Sequence, residues 1–409
     1  MKVVVVGAGA AGLIAAGRAA ELGHDVILIE KNSRPGKKVL ISGKGRCNLT
    51  NNADLDTLMN NIPGNSKFLY SAFSKFGSAD IINFFERLGV KTKVERGERV
   101  FPVSDSAKDI VDALYTYIKK NNVQFMPNTR VKLIKVLDSK VVGVITENEE
   151  LIKCDRVIIA TGGLSYQGTG STGDGYKMAR DLGHKIITPR PSLIPLITKE
   201  KWVTELQGLS LKNVNVKFLE SSGKKIYEDF GEMLFTHFGV SGPVILSASR
   251  HLLKYDYKGV KMSIDLKPAL DDAKLDLRIL RDFEKYNGKF FKNALNDLLP
   301  VKLIPVIIKL SRIEEDKFVN RISKEERKNL VHILKNLECT IVGSRPISEA
   351  IITVGGIDVK EIKPTTMESK IVSGLHFAGE IIDADGYTGG FNLTIAFSTG
   401  FTAGSGCST

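Results

Sequence analysis

Apolar positions come in short unbroken runs at both ends of the chain and in broken ones through its middle. VVVV at residues 3–6 is followed at once by GAGAAG, then by an alanine-rich stretch from Ala10 to Leu22, then, after Gly23, by DVILIE. Unbroken apolar runs predict strands buried on both faces, as in a parallel sheet, because a half-exposed strand would alternate. The alanine-rich stretch predicts a helix ended by Gly23. RVIIATGG repeats the strand-then-glycine pattern. Near the end, a short strand is expected at His376 to Ala378, then paired glycines and a helix through about Gly404.

Between Pro189 and about Ile351 the pattern changes. Residues 192–267 alternate short apolar runs (SLIPLI, NVNVKFL, KKIYEDF, VKMSIDL) with turn residues, which predicts an antiparallel β domain. GVSGP in this region is not a nucleophile elbow, since Pro243 stands where the last glycine is required; Pro243 instead predicts the first turn of a helix, with Ser241 near its cap. Residues 271–337 carry lysines and apolar residues at helical spacing, a small helical subdomain. CTIVGS and EAIITVGGI then read as strands that return the chain to its first domain.

The first glycines carry chemistry. Gly7, Gly9 and Gly12 form G-x-G-x-x-G between a strand and a helix, and Glu30 ends the second strand 18 residues after Gly12. Gly7 permits the tight turn, Gly9 lets the backbone approach a pyrophosphate, and Gly12 lets helix and strand pack closely. An acid at position 30 suits a ribose hydroxyl and repels the 2′-phosphate of NADP. FAD and NAD both fit.

Arg34, Lys37, Lys38, Lys44 and Arg46 then place five positive charges within thirteen residues, in KNSRPGKKVLISGKGRCNLTN. Gly43 and Gly45 flank Lys44, a mixture suited to folding over an anionic cofactor. It is not a Walker loop, because Gly45 stands where Ser or Thr is required. Cys47 has no resolving cysteine nearby, so a small packed residue is expected rather than a redox centre. A second G-x-G-x-x-G at Gly168, Gly170 and Gly173 follows no strand directly, and KIITPRPS after its helix offers no acidic residue; it is expected to line the site rather than bind a second nucleotide.

GAGAAG, GKKVLISGKGRCNLTN, ATGGLSYQGTGSTGDGY, GEMLFTHFGVSGPVILSAS, TVGGI and GEIIDADGYTGGFNLTIAFSTG together resemble a flavoprotein family that includes aminoacetone oxidase-like enzymes and a bile-acid 4,6-reductase. The resemblance runs from Val3 to Gly404 and implies a three-domain protein with non-covalent FAD. It implies that Gly43, Lys44, Gly45, Arg46 and Asn48 lie along the FAD, and that Gly162, Gly163, Gly379, Glu380, Asp383, Gly389, Gly390, Asn392 and Leu393 surround it. Ala10, Ala11, Lys31, Lys38, Ser42, Val131 and Thr161 are further expected contacts. The expected fold is α/β: a discontinuous Rossmann-like FAD-binding domain over 1–190 and 351–409, an inserted antiparallel β domain over 191–270 and 338–350, and a helical subdomain over 271–337.

Composition narrows the class. At 409 residues, 43% hydrophobic and 25% charged, the chain is an ordinary folded protein with more than one domain. Three glycines break the N-terminal apolar run, so it is not expected to be a signal peptide, and no stretch approaches the roughly 18 apolar residues of a membrane span. A cytoplasmic protein acting on a small molecule, without membrane or nucleic-acid partner, is expected. Four scattered cysteines give no metal or disulfide spacing. Two forms of flavin oxidoreduction stay open: an oxidase of an amine-type substrate with oxygen as acceptor, slightly favoured by the lack of a second nucleotide domain, and a reductase of an activated double bond fed by transient NAD(P)H. The net charge of +12 and the lysine-rich insert motivate an alternative, a tRNA-modifying flavoprotein, although no aromatic-rich RNA motif or paired-cysteine element accompanies them. A redox sensor without turnover is a further alternative. His237, Tyr166 and Tyr387 are the candidate catalytic residues. The oligomeric state is not legible.

Overall fold

The computed structural model describes residues 1–408. The chain forms two compact units, one of Met1–Pro191 with the chain from Ile347 on, the other of Ser192–Pro346.

The first unit is built on a parallel sheet. Its strands are β1 (Lys2–Val6), β2 (Asp25–Ile29), β3 (Gln124–Met126), β4 (Arg156–Ile159) and β5 (Leu375–Phe377), in the order β5–β4–β1–β2–β3. Val3 pairs with Val26 on one side and Arg156 on the other. Val3, Val4 and Val5 are fully buried, which is why this strand is apolar without alternation. Helix α1 (Ala10–Glu21) follows β1, and helix α2 (Phe391–Gly406) packs against it. The two backbones come so close that a Cβ at Gly400 would lie 2.4 Å from the Ala11 carbonyl oxygen, and one at Gly404 2.5 Å from that of Ala15. A three-stranded antiparallel sheet (Val131–Leu137, Lys140–Thr146, Leu151–Lys153) and the strand Ile352–Ile357 complete the parts that matter for the site. This is the Rossmann-type α/β fold expected from the apolar runs.

In the second unit the antiparallel strands close into a barrel, in the order Leu196–Thr198, Gly239–Ser241, Lys225–Phe235, Ser210–Leu219, Val260–Asp265, Leu337–Ser344. Along Ser210–Leu219, Leu211, Val214, Val216 and Phe218 turn inward. The CTIVGS run does not lead back to the parallel sheet: as Leu337–Ser344 it pairs with Leu196–Thr198 and Val260–Asp265 and closes the barrel. Pro243 does open a helix, Pro243–His251, whose N-cap is Gly242 at φ 99°, with Ser241 one residue before it. The helices Asp272–Lys285 and Lys324–Lys335 are capped by Asp271 and by a Ser323/Glu326 capping box.

Candidate functional site

The site begins where β1 stops. Gly7 turns at φ 103°, and a Cβ there would lie 2.7 Å from the Ala160 carbonyl oxygen at the end of β4. A Cβ on Gly12 would lie 1.8 Å from the Gly7 oxygen. Both glycines are demanded by packing. Gly9 differs: a Cβ there would meet nothing within 4 Å. Gly9, Ala10 and Ala11 line a cavity, and the first-turn N–H groups of α1, which have no partner within the helix, gather at this wall. Free amides, the positive end of a helix and an open cradle at Gly9 fit a pyrophosphate.

On the β2 side lies Glu30. Its carboxylate accepts from the Ala8 N–H at 2.7 Å and from the backbone and side-chain N–H of Asn32 at 2.8 and 2.7 Å. The carboxylate is thus fixed by the same turn that forms the cradle at Gly9. Behind it, Lys31 donates to Asp174 at 2.9 Å and Arg130 reaches the same carboxylate through two nitrogens at 2.8 and 3.2 Å. Burial alone would raise the pKa of Asp174, but Arg130 and Lys31 outweigh it and hold the group below the ordinary range. The second glycine motif belongs here: Gly170 and Ser171 line the cavity, and a Cβ at Gly170 would strike the Asn32 amide at 2.5 Å.

On the β5 side stands a second charged group. Lys38 donates to Ser165 and to Glu380, each at 2.5 Å. Glu380 also accepts from the Ser165 hydroxyl and from the Thr353 N–H, both at 2.7 Å. Burial would raise the pKa of Glu380, yet the Lys38 charge and the donors around it hold it below the usual carboxylate value. Gly163 makes room for this cluster, since a Cβ there would lie 2.5 Å from the Thr353 hydroxyl and 2.9 Å from Glu380. Beyond it the cavity is walled by Val39, Ser42, Ala384, Asn392 and Leu393, the last two from the first turn of α2.

Of the residues expected at the cofactor, Gly7, Gly9, Ala10, Ala11, Glu30, Lys31, Lys38, Ser42, Val131, Thr161, Gly162, Gly379, Glu380, Asn392 and Leu393 line this cavity. The Thr161 hydroxyl is buried without a partner among the described residues, 2.2 Å from where a Gly175 Cβ would stand. Gly12, Gly43, Lys44, Gly45, Arg46, Asn48, Gly163, Asp383, Gly389 and Gly390 are not among its lining residues. Much of the GKGRCNLTN stretch is instead scaffold. Arg46 is spent on Glu95 and Asp105 and stacks over Phe101 at 4.1 Å. Asn48, with its amide oriented to satisfy its surroundings, accepts from the Gly390 N–H at 2.9 Å and donates to the carbonyls of Val100 and Thr50. Asn51 donates to the Gly389 carbonyl at 3.0 Å, and the Thr50 and Thr394 hydroxyls meet at 2.7 Å. The motif therefore ties down the turn that opens α2. Asp383 is bonded by Asn65 at 3.0 Å. Cys47 is fully buried, and burial pushes its thiol up to about 12, so it is a packed residue.

Tyr166 and Tyr387, two of the candidate catalytic residues, are not among the residues that line the cavity. Tyr166 sits at φ 51° before a short turn, and Tyr387 donates its N–H to the Asn61 carbonyl. His237 belongs to the other unit, in the turn between two barrel strands, edge-on to Phe238 at 4.9 Å. Asn32, Thr353 and the Ala8 amide are contributors that no spacing announced. Thr353 lies far along the chain from its partners, and Ala8 contributes through its backbone alone.

Residues 1–406 match the family model of the HI0933-like protein Rossmann domain. The chain belongs to this family. It is similar to a 3-dehydro-bile acid delta(4,6)-reductase of Clostridium scindens, with 31% identity over 409 residues and 98% of each chain covered. It is also similar to the ribosomal RNA dihydrouridine synthase of Haemophilus influenzae, with 34% identity over 97% of this chain and 96% of that one. Among solved structures, a 3-ketosteroid-delta4-(5alpha)-dehydrogenase of Rhodococcus jostii superposes with a TM-score of 0.56 over 100% of this chain and 97% of its own, at 16% identity, a likeness of fold. The HI0933-like chain described here is an FAD-dependent oxidoreductase of Rossmann type. No helix among the described residues is long and apolar enough to cross a membrane.

Proposed function

We propose that the cavity takes FAD lengthwise and that the protein uses it to reduce a carbon–carbon double bond conjugated to a carbonyl, with NAD(P)H as a transient electron donor. The observation that carries the cofactor reading is the cradle at Gly9, bounded by the free amides of α1 and by a Glu30 carboxylate already oriented by three N–H donors. Glu30 would hold the adenosine ribose, the first turn of α1 the pyrophosphate, and Lys38, Ser42, Asn392 and Leu393 would border the ring system. A flavin supplies hydride transfer; the protein supplies binding, orientation and electrostatics. The first turn of α2 would favour negative charge at the ring end, as helix N-termini do.

The reaction class is supported by the two kinds of curated relative. The substrates their names describe differ in size and polarity, yet a 3-oxo steroid with conjugated double bonds and a uracil ring share a C=C next to a carbonyl. The expected result is that NADH or NADPH, added under nitrogen, bleaches the bound flavin, and that a conjugated enone restores its colour faster than air does. A flavin that stays oxidised with both nucleotides overturns the reductase reading and returns the oxidase. A folded protein that takes up no FAD overturns the cofactor itself.

A polynucleotide substrate is a second reading, favoured by the net charge of +12 and by relatives named for ribosomal RNA. It predicts RNA binding whose affinity falls linearly in log salt. RNA that leaves the flavin unaffected and binds no more tightly at low salt than at high would dismiss it.

A further inference from the structure

Lys38 and Glu380 are opposite charges in one cavity wall, 342 positions apart in the chain and in direct contact. Their side chains keep 27% and 21% of their exposure, so the pair borders the open space rather than being sealed in the core. We propose that this ion pair sets the reduction potential of the bound cofactor: Lys38 raises it, Glu380 lowers it, and their contact holds the two in balance. The proposal rests on the FAD reading above.

Placement along the cavity carries the first step. Glu30 follows β2 and Glu380 follows β5, and in the order β5–β4–β1–β2 three strand spacings lie between them. At 4.7–4.9 Å each, these amount to about 14 Å. A dinucleotide with its ribose on Glu30 and its pyrophosphate over the start of α1, behind β1, therefore extends its other half toward Glu380 and Lys38. The adenosine end has its own cations, Lys31 and Arg130, both engaged by Asp174.

Rigidity carries the second step. Glu380 receives Lys38, the Ser165 hydroxyl and the Thr353 N–H, and the Thr353 hydroxyl in turn accepts from the N–H groups of Leu164 and Ser165. Four segments of the chain are thereby fixed around one carboxylate. With three of its roughly four acceptor positions taken, Glu380 acts chiefly as a fixed charge rather than as a flexible ligand. Reduction adds electrons to the group in the cavity, so a fixed positive charge beside it favours the reduced form and a fixed negative charge the oxidised form. Both residues are positioning residues in this sense, acting through the field they set.

The test is the midpoint potential of the holoprotein, measured by anaerobic spectrophotometric titration against a reference dye for the wild type, Lys38→Met, Glu380→Gln and the double variant. Lys38→Met is expected to lower the potential and Glu380→Gln to raise it, each by at least the equivalent of a tenfold change in equilibrium constant, about 30 mV for a two-electron couple. The double variant, with both charges gone, is expected near the wild-type value. A purely structural clamp would move both single variants in the same direction or neither, and that result overturns the proposal. If the single variants fold or load poorly because one charge is left uncompensated, Lys38→Arg and Glu380→Asp, which keep each charge but move it, are titrated instead, and potentials unchanged in both overturn the proposal. A wild-type protein that binds no FAD fails at the earlier reading instead, so the two failures are told apart.

Discussion

At the scale of single residues, three glycines of one motif do different work. Gly7 and Gly12 are held by backbone contacts that leave no room for a Cβ, whereas Gly9 faces open cavity. Gly12→Ala is expected to cost about 3 kcal/mol or more in stability, as overpacking against a rigid carbonyl does. Gly9→Ala should cost no more than about 1 kcal/mol, the loss of a favourable N-cap residue, while weakening FAD binding about tenfold or more. Chemical denaturation and FAD titration of the two variants separate these effects; equal destabilisation at both positions would show that Gly9 is a packing residue too. The sequence made the three glycines legible as a set. It did not show that Glu30 is oriented by Ala8 and Asn32, because a backbone amide carries no signature in composition.

Elements show how a helix is aimed. The N-terminus of α2 reaches the cavity because Gly400 and Gly404 let it lie on α1 and because Asn48, Thr50 and Asn51 secure the turn before it. Gly400→Ala is therefore predicted to lower stability by about 1–3 kcal/mol, through the 2.4 Å approach to the Ala11 oxygen, and to weaken FAD binding by shifting α1 and α2 together. Differential scanning calorimetry with and without FAD reads both effects. Unchanged stability would mean that the helices separate freely. The sequence showed both helices and both glycine turns, since periodicity and turn chemistry are local. That the polar residues of CNLTN serve α2 depended on which strand their backbone joins: Thr50 and Asn51 pair with Val100 and Arg99, an arrangement no spacing encodes.

On the scale of the whole molecule, stability should depend on acid in a defined window. His376 on β5 is fully buried; Thr366 accepts at its Nδ1 side at 3.0 Å, and its Nε2 has no partner among the described residues. Burial pulls its pKa down to about 4, and the nearby Glu368 only partly opposes this. His184, packed edge-on to Phe377 and bonded to Ser369, is shifted down by burial as well. An unfolded histidine titrates near 6.5, so between that pH and about 4 the unfolded chain binds the extra protons and stability falls as pH falls. His376 alone is worth about 2 kcal/mol between pH 7 and pH 5. Urea unfolding at the two pH values should show this loss in the wild type and a smaller one in His376→Asn. Equal pH dependence in both would remove His376 as the cause.

What the sequence determined by itself was the strand and helix grammar and the dinucleotide motif with its acidic residue, because apolar periodicity and glycine turns act over a few residues. What only the tertiary structure decided was how polar groups share their bonds. Lys38 meets Glu380, Asn48 meets Gly390 and Arg46 meets Glu95 and Asp105, so whether each serves the cavity or its scaffold is settled by neighbours far away in the chain. A side chain has a fixed number of donors and acceptors, and folding chooses which partners use them.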